Sequence, residues 1–189
     1  MGVIPEELFY LSNLRSLSLF QNELSGTMST QLGTLKHLEA LSLDRNPLTG
    51  TLPSELGLLS SNLAFLSLHL AMLTGTIPSE LGQLSRVYHM QMDLNMISGT
   101  IPSEVGNLTD LEVWYGNHNW ISGTLPSELG KLTSMIDLHL DFNHFTGSVS
   151  KFSRSSGGGT LLLLSRHTLT NRFPSSYFNT HSYLPKSAR

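Results

Sequence analysis

The sequence predicts an α/β solenoid, a stack of short coils with a parallel sheet along one side and helical turns along the other. Two features of its 189 residues carry this prediction. A glycine-centred signal recurs every 24 or 25 residues. Between successive signals, apolar and polar residues alternate as in a short half-buried strand. One such strand buries too little surface alone, so successive repeats must stack against each other.

The glycine signal is almost the same in three places, which read Gly-Thr-(Leu or Ile)-Pro-Ser-Glu-Leu-Gly from Gly50, Gly75 and Gly123. The in-phase glycines are Gly2, Gly26, Gly50, Gly75, Gly99, Gly123 and Gly147. Pro-Ser-Glu-Leu-Gly predicts a helical turn, because serine favours the cap, glutamate the first turn and glycine the end. We therefore expect the glycine to end each turn and a serine to cap it, namely Ser54, Ser79, Ser103 and Ser127.

Between the glycines runs the pattern L-x-x-L-x-L-x-x-N-x-L, and we number its copies repeats 1 to 6. The first copy consists of Leu14, Leu17, Leu19, Asn22 and Leu24. The six copies occupy residues 14–24, 38–48, 63–73, 87–97, 111–121 and 135–145. Leu-x-Leu predicts the strand of each repeat. The asparagine is expected to point inward and to bond backbone groups of the next repeat, which would otherwise be buried and unpaired.

This pattern resembles the leucine-rich repeat family, in the plant-type subclass with 24-residue units. The resemblance covers residues 2–149 and implies a right-handed, arc-shaped solenoid that binds other molecules and catalyses no reaction. Such repeats build the ectodomains of plant receptor-like kinases and receptor-like proteins, and also secreted polygalacturonase inhibitors. Secreted members often carry paired cysteines in capping segments. This sequence has no cysteine, so we expect it to be a fragment of a longer protein. A small free-standing repeat protein whose ends pair with another copy is the alternative.

Composition and charge divide the chain in two. There are 37 leucines, and charged residues make up 13% of the chain, about half the usual share. Residues 1–150 carry 14 acidic and five basic residues, whereas residues 151–189 carry six basic and no acidic ones. We predict a repeat domain over 1–150, of six units and a stub, and a disordered Ser/Gly-rich tail over 151–189. Leu161–Leu164 is expected to form a strand or a helical turn against the last repeat.

Two repeats depart from the pattern. In repeat 3, Ala71 replaces the asparagine, and one extra residue lies between Leu59 and Leu63. A hinge or a tolerated irregularity would each account for it. In repeat 5, Trp114 and Gly116 replace the two leucines of Leu-x-Leu. A bulky residue beside a vacated position predicts volume compensation inside the core, and a ligand platform is the alternative for Trp114.

Three columns of residues are expected to face solvent on the sheet, because positions one repeat apart become neighbours. The columns begin at Ser18, Phe20 and Gln21 in repeat 1 and become aromatic, histidine-bearing and acidic in the later repeats. Such side chains on a rigid sheet suit a recognition surface, although an ordinary solvated face is equally consistent. The candidate ligand-binding residues are His69, Asp93, Tyr115, Asn117, His118, His139, Asp141 and Phe142.

No catalytic residue, metal ion or cofactor is predicted. The sequence lacks a G-x-S-x-G elbow, a phosphate-binding loop and a kinase signature. Asp93, Asn117, His139 and Asp141 include metal-ligand types, but nothing in their spacing brings three of them together. The sequence therefore predicts that the protein is not an enzyme.

The predicted function is binding of a protein or peptide ligand, or of a glycan, as in a receptor ectodomain. An intracellular interaction scaffold and an inhibitor like those of polygalacturonase are the alternatives. End-to-end self-association through uncapped repeats is expected, whereas nucleic acid is not expected, because the basic residues of the tail are dispersed. The sequence contains no signal peptide or membrane span, although the resemblance implies an extracellular or cell-surface location. Asn107 begins the single N-glycosylation sequon.

Overall fold

The computed structural model describes residues 2–147 and 161–163, which form a parallel-stranded solenoid. Repeats 1 to 6 each contribute one three-residue strand to the main sheet. These strands are Ser16–Ser18, Ala40–Ser42, Phe65–Ser67, His89–Gln91, Val113–Tyr115 and Asp137–His139. Each is hydrogen-bonded to the strand of the next repeat in parallel register. The predicted solenoid architecture is confirmed.

The middle residue of each strand is buried, and the residues on either side of it are exposed or half-buried, except that Ser67 is also buried. This alternation follows from the two-residue period of a strand and assigns one face of the sheet to the core. One apolar cluster runs through the whole stack, from Phe9 and Leu17 to Leu138 and Leu140. Burial of this continuous leucine-rich cluster stabilises the stack, because no single repeat has a core of its own.

A second set of strands lies just after the repeat asparagine in repeats 1, 2, 4, 5 and 6. It consists of Gly26–Thr27 paired with Leu48–Thr49, and of Ser98–Gly99, Trp120–Gly123 and His144–Phe145. The repeat glycines lie here with positive φ, for example 75° at Gly75 and 91° at Gly147. This backbone conformation explains why glycine recurs in the sequence at this point.

The helical turns on the opposite side are 3-10 helices. Their bounds are Glu6–Tyr10, Thr30–Thr34, Ser54–Leu59, Ser79–Gln83, Ser103–Asn107 and Ser127–Lys131. The prediction that Ser54, Ser79, Ser103 and Ser127 cap these turns is wrong, because proline occupies the N-cap and makes no side-chain cap. Each serine hydroxyl instead contacts the carboxylate of the following glutamate. Among the helices of residues 2–147, a serine caps only Thr30–Thr34, where the Ser29 hydroxyl accepts from the Gln31 amide.

The glycine of Pro-Ser-Glu-Leu-Gly lies inside the 3-10 helix rather than at its end, so the expectation that it ends the turn is also wrong. It makes room for the neighbouring repeat. A β-carbon on Gly82 would collide with the carbonyl oxygen of Glu104, and one on Gly57 with that of Glu80. Consecutive helices can therefore pack backbone to backbone only if this residue has no side chain.

The repeat asparagines form a buried ladder, but it runs in the opposite direction to the prediction. Asn95 bonds the preceding repeat: its Oδ1 accepts from the amides of Ala71 and Leu73, and its Nδ2 donates to the Leu68 carbonyl at 2.8 Å. Asn46, Asn119 and Asn143 make the equivalent bonds to the repeats before them. Ala71 interrupts the ladder in repeat 3, where the Leu48 amide bonds the nearby Asn46 carbonyl instead.

Trp114 is fully buried, and its indole nitrogen lies 3.2 Å from where a β-carbon on Gly116 would be. A leucine at position 116 would therefore occupy the same space as the indole. The predicted volume compensation within the core is confirmed, and the alternative of a ligand platform at Trp114 is excluded by its burial.

Beyond repeat 6, Leu161–Leu163 forms a strand that pairs in parallel with Asp137–His139. Leu161 pairs with Asp137, which lies one 24-residue repeat earlier in the chain. The remainder of the predicted tail, residues 151–160 and 164–189, lies outside the described residues, as do residues 148–150 of the predicted repeat domain. None of the helices described is long and apolar enough to cross a membrane.

Candidate functional site

The outward side of the main sheet, which we call the sheet face, carries the candidate residues. The register joins Gln91, Tyr115 and His139 in one row, as predicted from the repeat spacing. Tyr115 and His139 are half-buried, with their rings edge to face at 4.9 Å. Edge-to-face packing of this kind favours fixed ring orientations, so these two side chains present a defined surface.

Two further aromatic side chains lie beside this row, at the first position of their strands, and neither was predicted. Phe65 stacks on His89 at 4.7 Å, and His89 meets Tyr115 edge to face at 5.9 Å. Together with His139 they form the aromatic row, defined as Phe65, His89, Tyr115 and His139. Phe65 and His89 precede the buried middle residue of their strands. The two-residue period of a strand could have revealed them, because residues on both sides of a buried position share one face.

His118 and Phe142 form a second contact at the end of the sheet face. Their rings stack at 4.2 Å, and Phe142 is 50% exposed. Both residues have positive φ, as do their equivalents Gln21, Arg45, Leu70 and Leu94. The following asparagine supports this strained turn by bonding the carbonyls of its own repeat. The turn therefore holds His118 and Phe142 outward from the sheet.

Burial lowers the pKa of His118 below its ordinary value, and the nearby carboxylates of Asp141 and Asp93 offset only part of this effect. The imidazole is therefore predominantly neutral at pH 7. It contributes a neutral ring, rather than a positive charge, to the sheet face.

Asp44 organises the polar part of the sheet face in repeats 2 and 3. Its Oδ1 accepts from the Ser67 hydroxyl and from the His69 amide, both at 2.7 Å, and its Oδ2 accepts from Ser42. With three donors in place, this carboxylate has a structural role and offers little free surface to a ligand.

His69 and Asp93, both predicted as ligand-binding residues, are bonded to each other. His69 Nδ1 lies 2.8 Å from Asp93 Oδ2, and the Gln91 amide donates to Asp93 Oδ1 at 3.0 Å. Asp93 is only 8% exposed. These residues connect repeats 3 and 4, and their side chains are less accessible than those of Tyr115, His139 and Phe142.

Asn117 and Asp141 occupy neighbouring positions in one column, and both are half-buried. The Oδ1 atom of Asp141 is buried without a hydrogen-bond partner. A buried carboxylate oxygen without a donor is costly, so this atom is an uncompensated acceptor beneath the sheet face. Within residues 2–147 and 161–163, no group of three or more His, Asp or Glu side chains is placed to hold a metal ion.

Asn107 lies at the end of the 3-10 helix Ser103–Asn107, on the side opposite the sheet face. Both Asn107 and Thr109 are exposed, so a sugar at this position would project away from the candidate ligand-binding residues. Its glycosylation remains a prediction.

A family model described as Leucine Rich Repeat matches residues 37–59. No curated protein matches the chain. The LRR ectodomain of the plant membrane receptor kinase GASSHO1/SCHENGEN3 from Arabidopsis thaliana, solved in complex with CASPARIAN STRIP INTEGRITY FACTOR 2, is 39% identical, with a TM-score of 0.78. The match covers 85% of this chain and 20% of that one.

The plant peptide hormone receptor RGFR1, solved in complex with RGF2, is 35% identical over 76% of this chain and 23% of that chain, with a TM-score of 0.74. A plant ice-binding protein is 26% identical over 86% of this chain and 54% of that one, with a TM-score of 0.78. This chain thus spans about a fifth of the two receptor ectodomains and about half of the ice-binding protein. The repeat period, the parallel solenoid and these similarities together show that the chain belongs to the leucine-rich repeat family, in its plant-type form.

Proposed function

We propose that this chain is a non-enzymatic recognition module that binds a protein or peptide ligand through the sheet face of repeats 3 to 6. The observation that carries this proposal is the aromatic row of Phe65, His89, Tyr115 and His139, whose rings touch in sequence on a rigid sheet. Aromatic side chains held by their neighbours lose little conformational entropy when a ligand binds. Similar receptor ectodomains solved with peptide ligands support the proposal.

The geometry of the sheet face favours an extended ligand. Adjacent strands of a sheet lie about 4.8 Å apart, so the four strands of repeats 3 to 6 span roughly 15 Å. An extended peptide of about five residues has this length. Because the similar solved proteins include receptor ectodomains, we place the proposed function outside the cell or at its surface.

The proposal is tested by selecting ligands from a displayed peptide library against the full chain, and then measuring their binding to single variants. Tyr115→Ala and His139→Ala are each expected to weaken binding about tenfold or more, as for a central aromatic contact. Phe20→Ala is the matched control, because Phe20 is an exposed aromatic residue on the same side of the chain in repeat 1. A selected ligand whose affinity is unchanged by both substitutions would refute this binding site.

A second candidate function is binding to an ice surface, which a different face of the solenoid favours. One exposed threonine follows the repeat glycine in five successive repeats, and these residues are Thr27, Thr51, Thr76, Thr100 and Thr124. A row of hydroxyl and methyl groups at strand spacing, with no charge among them, is a regular and weakly hydrated surface. The similarity to a plant ice-binding protein supports this candidate.

Ice binding is distinguished by an ice recrystallisation assay on the full chain and on Thr76→Lys, which places a hydrated charge in the middle of the row. Ice binding predicts that crystals stay small with the parent chain and coarsen with the variant. Tyr115→Ala is the control and is expected to leave crystal growth unchanged. Crystals that coarsen equally with the parent chain and with buffer would eliminate this candidate.

A further inference from the structure

We propose that the ligand of the sheet face in repeats 4 to 6 is a basic peptide, bound through its lysine or arginine side chains. The inference rests on the proposed function and specifies the chemistry of its ligand. It is carried by the distribution of charge along the sheet face, together with the aromatic side chains that lie among the acidic ones.

The charged residues on or beside the sheet face in repeats 4 to 6 are all acidic. They are Glu112, Asp137 and Asp141, together with Asp93, whose carboxylate is already engaged by His69 and Gln91. The corresponding columns of these repeats contain no lysine or arginine, and Arg86 lies outside them, in the adjoining groove. Repeats 1 and 2 differ, because there each base has a local partner. Arg15 pairs with Glu39 at 2.7 Å, and the guanidinium of Arg45 lies over the ring of Phe20. The excess negative charge is therefore confined to the part of the sheet that bears Tyr115, His139 and Phe142.

A shallow groove at the start of the same strands extends this negative surface. It has a volume of about 500 Å³ and is lined by Ala64, Arg86, Tyr88, Asp110, Glu112 and Ser134. Its two carboxylates outnumber its single guanidinium. Glu112 and the exposed ring of Tyr88 connect the groove to the sheet face.

Carboxylates beside exposed aromatic rings are the chemistry that binds lysine and arginine. The carboxylates form charge-assisted hydrogen bonds with ammonium and guanidinium groups, and the ring faces attract the same cations. In repeats 5 and 6, Asp137 and Asp141 flank the contact between Tyr115 and His139 along the strand and its turn. An acidic ligand would meet repulsion at each of these positions.

The strand spacing also specifies the ligand's pattern. The strands of repeats 4 and 6 lie roughly 10 Å apart, because one strand separates them. In an extended peptide, every second side chain points to the same side, and such side chains lie about 6.5–7 Å apart. A peptide crossing repeats 4 to 6 therefore places alternate side chains on the sheet face, so basic residues are expected at every second position.

The test uses the full chain and two fluorescein-labelled decapeptides, one alternating Lys and Ala and the other alternating Glu and Ala. Binding is measured by fluorescence anisotropy at low and at high salt. The Lys peptide is expected to bind, to lose affinity with salt, and to bind Asp137→Asn/Asp141→Asn about tenfold more weakly. The matched control is Glu80→Gln/Glu104→Gln, which removes the same charge from exposed positions on the 3-10 helices and is expected to change affinity less than twofold.

Two outcomes would overturn the inference. The first is an equal loss of affinity for the Lys peptide in the two double variants, which would mean that the peptide is attracted by net charge alone. The second is that the Glu peptide binds as tightly as the Lys peptide. The chain's own basic residues in 164–189 offer the same side-chain chemistry, and the test includes them as an alternative occupant. If replacing Arg166, Arg172, Lys186 and Arg189 by glutamine tightened binding of the Lys peptide, the intramolecular segment would hold the site and the external ligand would be refuted.

The outcome also separates this inference from the proposed function. A library-selected ligand that depends on Tyr115 and His139 but carries no basic residue would refute the basic-peptide inference and leave the recognition module intact. A ligand insensitive to both of those residues would refute the module itself.

Discussion

Asn95→Ala is the most direct test of how the solenoid is held together. Asn95 is 2% exposed and lies at the centre of the asparagine ladder. Its Oδ1 accepts from the amides of Ala71 at 3.1 Å and Leu73 at 2.9 Å, and its Nδ2 donates to the carbonyl of Leu68. Alanine removes all of these bonds and leaves two buried amides without an acceptor.

Each buried donor left unsatisfied costs about 1–3 kcal/mol. Two such amides therefore predict that Asn95→Ala lowers the free energy of unfolding by roughly 2–6 kcal/mol. Asn22→Ala is the matched control, because Asn22 occupies the same position of repeat 1 but is exposed, and its amide donates only to the nearby carbonyls of Leu19 and Phe20. Water can replace those bonds, so the control is expected to cost about 0.5 kcal/mol or less.

Urea denaturation of the full chain, followed by circular dichroism and by the fluorescence of Trp114 and Trp120, measures both values. Amide hydrogen exchange adds a local measurement, since the Ala71 and Leu73 amides are expected to exchange faster in the Asn95 variant. If the two variants lost the same stability, or if exchange at Ala71 and Leu73 did not change, the ladder would not contribute as the structure indicates.

Three further predictions concern packing, the interrupted ladder and pH. Gly82→Ala is expected to cost about 1–3 kcal/mol in urea denaturation, because the new β-carbon meets the Glu104 carbonyl. Gly130→Ala is its control and should cost nothing, because no atom of the described residues lies within 4 Å of the added β-carbon; equal effects would exclude the steric explanation. Ala71→Asn is expected to raise stability by about 1 kcal/mol by restoring the ladder, and an unchanged or lower thermal midpoint would contradict this. Burial lowers the pKa of His118 in the folded chain, so the unfolded chain takes up the proton first and stability falls as the pH drops below about 6.5. His118→Gln should therefore lose less stability between pH 7 and pH 5 than the parent chain does; an equal loss would show that His118 does not contribute.

The candidate site was only partly predictable. Repeat spacing placed Gln91, Tyr115 and His139 in one row, because parallel strands one repeat apart pair residue for residue. It did not indicate how far each side chain is exposed. Asp93 is held by His69 and Gln91, a contact set by side-chain rotamers in two neighbouring repeats. Spacing alone cannot specify such rotamers, because they depend on everything packed around them.

The local turns show the same division. Pro-Ser-Glu-Leu-Gly correctly indicated a helical turn, yet the roles assigned to its serine and glycine were wrong. Those roles follow from the neighbouring repeat: the helices pack so closely that the glycine must lack a side chain to avoid the next glutamate's carbonyl. A propensity argument considers one turn at a time, and the constraint here arises between two turns.

The amino-acid sequence alone determined the period, the leucine-rich core and the parallel sheet, because a 24-residue pattern that buries one apolar side per repeat can be satisfied only by stacking. Only the tertiary structure decided that the asparagines bond the preceding repeat and that the ring of His89 contacts those of Phe65 and Tyr115. It also decided which carboxylates are engaged within the sheet face. The physical reason is that hydrogen-bond direction, ring contact and exposure depend on the distance and orientation between repeats, which exist only once the repeats have stacked.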